Sequence, residues 1–234
     1  MKLYALAFGA HPDDVEMSCG GTLSMLNRNG KPFGIVDLTR GEMGTRGNAE
    51  IRADEAEAAA KILGADVRIN LRIPDAGIEI SRKNVMKIVE VIRKYQPEIV
   101  FAPFREERHP DHVHAHLLVC EAVFYSGLLK LRIRNLPPHR PKHAYYYMQH
   151  RTFMPTFYCD ISNDYETKVA AIKAHKSQFF NPESKDPETA LSTPEFLEYL
   201  LGRMRYHGRQ AGVRYAEPFW STEPLTITNF DSVV

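Results

Sequence analysis

Leu3-Tyr4-Ala5-Leu6-Ala7-Phe8-Gly9 runs directly into Ala10-His11-Pro12-Asp13-Asp14-Val15-Glu16. The short apolar run, ended by glycine, reads as a buried strand. The polar cluster is where that strand's carboxyl end must turn. Much later the pattern returns. Residues 98–103, with Ile-Val-Phe-Ala in the middle, lead into Arg108-His109-Pro110-Asp111-His112. Strands at 32–39 and 67–71 lie between, and helices are predicted at 20–29, 48–63, 81–95 and 110–126. Gly30 and Gly64 stop two of these helices, Pro97 closes the third, and Pro110 opens the fourth. The crossovers are long enough for parallel pairing. The expected fold is therefore α/β, a Rossmann-like doubly wound, mainly parallel sheet with core order 3-2-1-4-5.

The last third is less regular. Strands are predicted near 144–148 and 156–160, and helices at about 162–179 and 193–209. The polar segment 181–192, with Pro182 and Pro187, is a candidate mobile loop. No composition break interrupts the chain, so residues 1–234 read as one domain.

Thirty basic residues face twenty-nine acidic ones, for a net charge of +1. That balance predicts no nucleic-acid partner and no acidic membrane surface. Cys19, Cys120 and Cys159 are odd in number and far apart, without a C-x-x-C pair. They point to a reducing compartment and away from a thiolate metal site. The apolar start breaks off at His11-Pro12, too early for a signal peptide, and no stretch approaches membrane-spanning length. A cytoplasmic location is the expectation.

In a 3-2-1-4-5 sheet, strands 1 and 4 are neighbours whose following helices leave on opposite faces. Ligands bind at that switch point, outside the carboxyl ends of the strands. Either His-Pro-Asp cluster alone could be an end-capping turn. Two of them at the two switch-point strands favour chemistry. His11, Asp14 and His112 would offer two nitrogens and one oxygen to a single zinc ion with a position left for water. Asp13 could take that water's proton, and His109 could stabilise an oxyanion or protonate an amine, with Asp111 to orient it. The glycine-rich stretch Thr39-Arg40-Gly41-Glu42-Met43-Gly44-Thr45-Arg46-Gly47 is predicted to loop over the same edge. Gly20-Gly21-Thr22 is no dinucleotide fingerprint and reads as a close-packing site. His114 and His116 read as packing or surface residues. His139, His143, His150, His175 and His207 lack a partnering pattern and read as structural.

Taken together, Ala10-His11-Pro12-Asp13-Asp14, Gly20-Gly21-Thr22, Thr39-Arg40-Gly41-Glu42, Arg52-xx-Glu55, Pro74-Asp75-Ala76-Gly77 and His109-Pro110-Asp111-His112 resemble the LmbE-like, or PIG-L, deacetylases. Farther on, Phe157-Tyr158-Cys159-Asp160-Ile161-Ser162, Lys176-Ser177-Gln178-Phe179 and Tyr215-Ala216-Glu217 look like the bacillithiol-biosynthesis branch. That resemblance implies a zinc-dependent hydrolase, with another divalent metal such as Fe2+ as the alternative. Its substrate would be a small N-acetylglucosamine conjugate, N-acetylglucosaminyl malate above all, with chitooligosaccharides as the alternative. The matching positions imply His11, Asp14 and His112 as metal ligands, Asp13 as general base, and His109 with Asp111 as its carboxylate partner. Arg52 and Arg108 would bind substrate. A homo-oligomer is implied, often a hexamer. One departure stands out. Some relatives carry a tyrosine near the start of the last long helix, held to steady the tetrahedral intermediate. Phe196 occupies that place here and cannot donate a hydrogen bond.

Two other classes compete. His11-x-Asp13 with a distant histidine is also a two-His-one-carboxylate pattern for non-haem iron. A catalytically inactive metal- or sugar-binding module would need no Asp13, which metal binding alone does not require.

Overall fold

The computed structural model describes residues 1–226; residues 227–234, the end of the expected single domain, lie outside the described residues. Strand β1 (Ala5–Gly9) is buried at every position. Leu6 and Phe8 feed one hydrophobic core, and Ala5 and Ala7 feed another. The same alternation recurs in β2 (Phe33–Asp37), where Val36 faces one core and Phe33 and Ile35 the other. Strand β4 (Ile99–Pro103) splits Val100 and Ala102 from Phe101 in the same way. Strands apolar on both faces need cover on both. Helices α3 (Arg82–Tyr95) and α4 (Pro110–Ser126) cover one side. Helices α1 (Asp14–Arg28), α2 (Ala49–Leu63) and α5 (Tyr165–Ala174) cover the other.

With β3 (Val67–Asn70), β5 (His143–Tyr147), β6 (Phe157–Asp160) and β7 (Ala216–Ser221), the described residues form a sheet of seven strands in the order β3-β2-β1-β4-β5-β7-β6. The first five are parallel and follow the expected order. Strand β7 enters antiparallel between β5 and β6 and is an addition to the sequence reading. Helix α6 (Pro194–Ala211) precedes it, capped by the Thr193 hydroxyl. Among the described residues, no helix is long and apolar enough to cross a membrane.

The first helix begins at Asp14, so the expected helix at 20–29 is its second half. The two halves meet at Cys19, whose φ of −128° is not helical. The second half therefore has its own N-terminus, with orphan N–H groups. Gly21 and Thr22 donate theirs to the Glu217 carboxylate at 2.9 and 2.7 Å. Lys168 neutralises that carboxylate at 2.5 Å in full burial. A side chain at Gly21 would put a carbon 2.8 Å from Ile161, which explains the glycine there; at Gly20 the nearest atom would be 3.6 Å away, an ordinary contact. The helix predicted at 162–179 ends at Ala174, because His175 leaves the helical region (φ −81°, ψ 61°).

Candidate active site

All five parallel strands end on one edge, and each contributes to one cavity. His11, Asp13 and Asp14 follow β1, and Met43 and Gly44 follow β2. Asp75 and Ala76 follow β3, Arg108, His109 and His112 follow β4, and His150 follows β5. The cavity is about 240 Å³. The two His-Pro-Asp clusters meet there, as the β1–β4 pairing requires.

His112 Nε2 lies 3.3 Å from both His11 Nδ1 and Asp14 Oδ1, and His11 Nδ1 is 3.6 Å from Asp14 Oδ2. A tetrahedral ion with bonds of about 2.0–2.1 Å sets its ligands about 3.4 Å apart, so the two ring nitrogens and the Asp14 carboxylate, reached through a different oxygen from each histidine, are spaced for a zinc-sized ion. Their surroundings fit as well. His11 Nε2 points at Asp75 (3.0 Å) and Asp111 (3.5 Å), which places its hydrogen there and leaves the Nδ1 lone pair free. Gln149 Nε2 donates to Asp14 Oδ1 at 2.7 Å. Four carboxylates, of Asp13, Asp14, Asp75 and Asp111, crowd the site against the guanidinium of Arg52. Burial opposes a charge on His11, yet hydrogen bonds with Asp111, Asp14 and Asp75 outweigh it and raise its pKa well above the usual value. The cluster is short of positive charge, and a divalent cation would supply it. A second grouping, His11 with His109 and Asp111, shares one ligand with the first.

Asp13 has φ 126°, a conformation that costs a non-glycine residue about 1–3 kcal/mol. Its carboxylate meets Arg52, whereas that of Asp14 meets His11 and His112. Burial, with Asp14 beside it, lifts the Asp13 carboxyl to about 6, although Arg52 opposes the rise. Arg52 donates to Asp13 Oδ2 (3.2 Å), Pro12 O (2.7 Å) and Gly41 O (3.0 Å). It borders the cavity but is 4% exposed. Its terminal nitrogens hold Asp13 and two loop carbonyls, while its Nε has no partner among the described residues. Gly41, at φ 67°, is where the loop passes against that guanidinium, and a side chain there would collide with it.

His109 caps α4, its Nδ1 accepting the Asp111 N–H at 3.2 Å. The ring's hydrogen therefore sits on Nε2, which makes Nε2 a donor. Burial and the neighbouring His11 and His112 lower its pKa, so the ring is neutral near pH 7. The Asp111 carboxylate differs from expectation. It takes the N–H groups of Ala76 (2.8 Å) and Ile78 (3.4 Å) and faces His11 rather than His109.

Two residues of the cavity, Asp75 and His150, escaped the sequence reading, whereas His175 and His116 are buried packing residues as expected. Asp75 sits against His11. His150, read as structural, borders the cavity, and burial lowers its pKa to about 4. His175 is buried beside Glu16, in a group with Arg68 and Asp37 behind the site. His116 is buried, with Nδ1 on Pro103 O at 2.9 Å. Of the arginines expected near the mouth, Arg108 borders the cavity. Arg40 turns to a neighbouring cleft beside Glu42, and Arg46 is buried under the loop.

Residues 6–123 match the family model described as PIG-L, GlcNAc-PI de-N-acetylase. The diacetylchitobiose deacetylase of Thermococcus kodakarensis is 34% identical over 91% of this chain and 80% of its own length. A probable N-acetyl-α-D-glucosaminyl L-malate deacetylase 2 of Bacillus cereus is 27% identical over 76% of this chain and 84% of its own. Among solved structures, the conserved protein TT1542 of Thermus thermophilus superposes with a TM-score of 0.89 at 37% identity, covering 97% of this chain and 98% of that one.

Proposed function

We propose, from the premise that this chain belongs to the PIG-L family, that it hydrolyses the acetamido group of a small N-acetylglucosamine-containing substrate with one divalent ion, zinc by donor type. The observation that carries the reading is the arrangement around the cavity: three convergent ligand atoms, one buried carboxylate beside them that is not a ligand, and a neutral histidine with a free donor. A site that merely held a metal would not need the last two.

A bound ion would supply a water of lowered pKa at the cavity floor. Asp13 accepts that water's proton as its oxygen adds to the amide carbon. The C=O electron pair moves onto oxygen, and the His109 Nε2–H donates to the resulting oxyanion. The oxyanion then collapses and the C–N bond breaks. Asp13 returns the proton to the leaving nitrogen, giving acetic acid and the free amine, and the acid then passes its proton to the amine or to solvent to become acetate. Asp13 suits this two-way role because its pKa is lifted toward neutrality.

The cavity is sized for one sugar ring and its acetamido group rather than a long chain. With Arg40, Arg46 and Arg52 directed elsewhere, Arg108 is the remaining cation of the four for a malate carboxylate. Diacetylchitobiose, acted on by the 34% identical relative, needs no such cation, and that relative supports it as the first reading. N-acetylglucosaminyl malate is the second reading, supported by Arg108 and the C-terminal resemblance. Acetate release from free N-acetylglucosamine, diacetylchitobiose and N-acetylglucosaminyl malate tests both. Fastest turnover of diacetylchitobiose is expected. Faster turnover of the malate conjugate moves the assignment to the second reading, and no acetate from any of the three refutes the deacetylase.

A further inference from the structure

We infer that His150 is a second hydrogen-bond donor to the acetamido oxygen as it becomes an oxyanion, facing the reacting group from the β5 side of the cavity. The inference rests on the deacetylase reading above.

His150 follows β5, whose register places it beside the end of β4 and therefore beside His109 and His112. Its backbone N–H donates to Glu107 Oε2 at 2.7 Å, and Glu107 Oε1 accepts the Arg108 N–H at 2.6 Å. One carboxylate thus ties the turn after β5 to the turn that delivers His109. The preceding Gln149 is locked too, its amide on Asp14 and its carbonyl on Arg203. The His150 ring lies nearly parallel to His112, with centroids 6.1 Å apart, and Phe196 stands 6.1 Å away. Phe196 offers no hydrogen bond. Among the described residues, neither ring nitrogen of His150 has a hydrogen-bond partner, although the ring borders the cavity.

An imidazole held this firmly and left uncommitted is preorganised for something that enters the cavity. Besides His109 and Arg108, which also face the cavity, several polar groups on the walls are already engaged. Gln178 Nε2 donates to Arg46 O, Arg52 holds Asp13, and Asp75 accepts from His11. The rings of His109 and His150 both neighbour the His112 ring, with centroids 5.1 and 6.1 Å from it, and both border the cavity. A preorganised donor aimed at a developing oxyanion stabilises it without rearrangement, and one such donor is typically worth about 10²–10³ in kcat.

The test uses metal-loaded wild type, His150→Phe, His150→Asn and His150→Gln with diacetylchitobiose, or with N-acetylglucosaminyl malate if wild type prefers it. His150→Phe is expected to lose about 10² in kcat with KM within threefold, and with metal content and Tm unchanged. At least one amide variant should recover tenfold or more of that loss. Binding of a methylphosphonamide of glucosamine, a mimic of the tetrahedral intermediate, should weaken about 10²-fold in His150→Phe and much less in the amide variants. An unchanged kcat, a change confined to KM, or undiminished binding of the phosphonamide overturns the role of His150. Wild type inactive on every substrate refutes the deacetylase reading instead.

Discussion

Arg52→Met separates two roles that the sequence alone conflates. The substitution keeps the length of the side chain and removes three hydrogen bonds, to Asp13 Oδ2 at 3.2 Å, Pro12 O at 2.7 Å and Gly41 O at 3.0 Å. It leaves Asp13 buried without its cation, and breaking such a pair from one side costs about 3–5 kcal/mol. For a chain of this length that corresponds to a fall in Tm of about 10 °C. The catalytic effect has a definite sign. Asp13 must be ionised to accept a proton, and Arg52 opposes the burial that lifts its pKa to about 6. Removing Arg52 raises that value further. A rise of one unit, about 1.4 kcal/mol, cuts the ionised fraction by up to about tenfold at a pH below both values. A bound cation lowers the value in both proteins and leaves their difference. The acid limb of kcat/KM should therefore move up by about one pH unit, with kcat reduced and KM within about threefold. A tenfold rise in KM, with kcat and the acid limb unchanged, would refute this reasoning and make Arg52 the substrate clamp implied by its motif.

Acid should unfold the protein partly through Glu16. Burial opposes its charge, but Arg68 and His175 outweigh that and hold the carboxyl at about 2. A lowered value stabilises fully above the ordinary 4.5 and is lost as pH falls toward 2, an effect on the order of 3 kcal/mol. Urea titrations at pH 7 and 3.5 should show about 1.4 kcal/mol of this loss in wild type and less in Arg68→Met; equal losses would contradict it. Glu217→Gln strands the buried Lys168 and should cost about 3–5 kcal/mol, part of which Lys168→Met in the same chain restores. If the double variant is no more stable than Glu217→Gln, the charge pair is not what secures the broken helix. Gly21→Ala should cost about 1–3 kcal/mol by thermal melting, through overpacking against Ile161, and an unchanged Tm would show that Ile161 yields freely.

What the sequence reveals here follows from how far each signal travels along the chain. Strands β1 to β5 are short apolar runs between helices with legible stops, so their parallel order follows from crossover rules alone. Strand β7 hides because Pro218 and the buried Glu217 interrupt its apolar pattern, and its purpose lies in a helix 196 residues away. The ligand atoms are legible because histidine and aspartate cluster within each motif. Their supports are not. Asp75 is a lone carboxylate in a turn after β3, and nothing local ties it to His11. His150 has no patterned neighbour, and its place depends on Glu107 gripping the backbone from another loop. The arginines mislead because sequence gives their proximity to the mouth but not their direction. Asp111 likewise lies beside His109 in the chain while its carboxylate turns to His11.

Metal content and acetate release, measured together in Asp13→Asn and His112→Ala, test the metal-and-base mechanism most directly. Asparagine keeps the shape of Asp13 but accepts no proton. Asp13→Asn should retain one ion per chain and lose about 10²–10⁴ in turnover. His112→Ala, which removes one of the three convergent donor atoms, should lose metal and turnover together. Loss of the ion in Asp13→Asn would contradict the ligand assignment, and near-normal turnover with the ion retained would contradict Asp13 as the base.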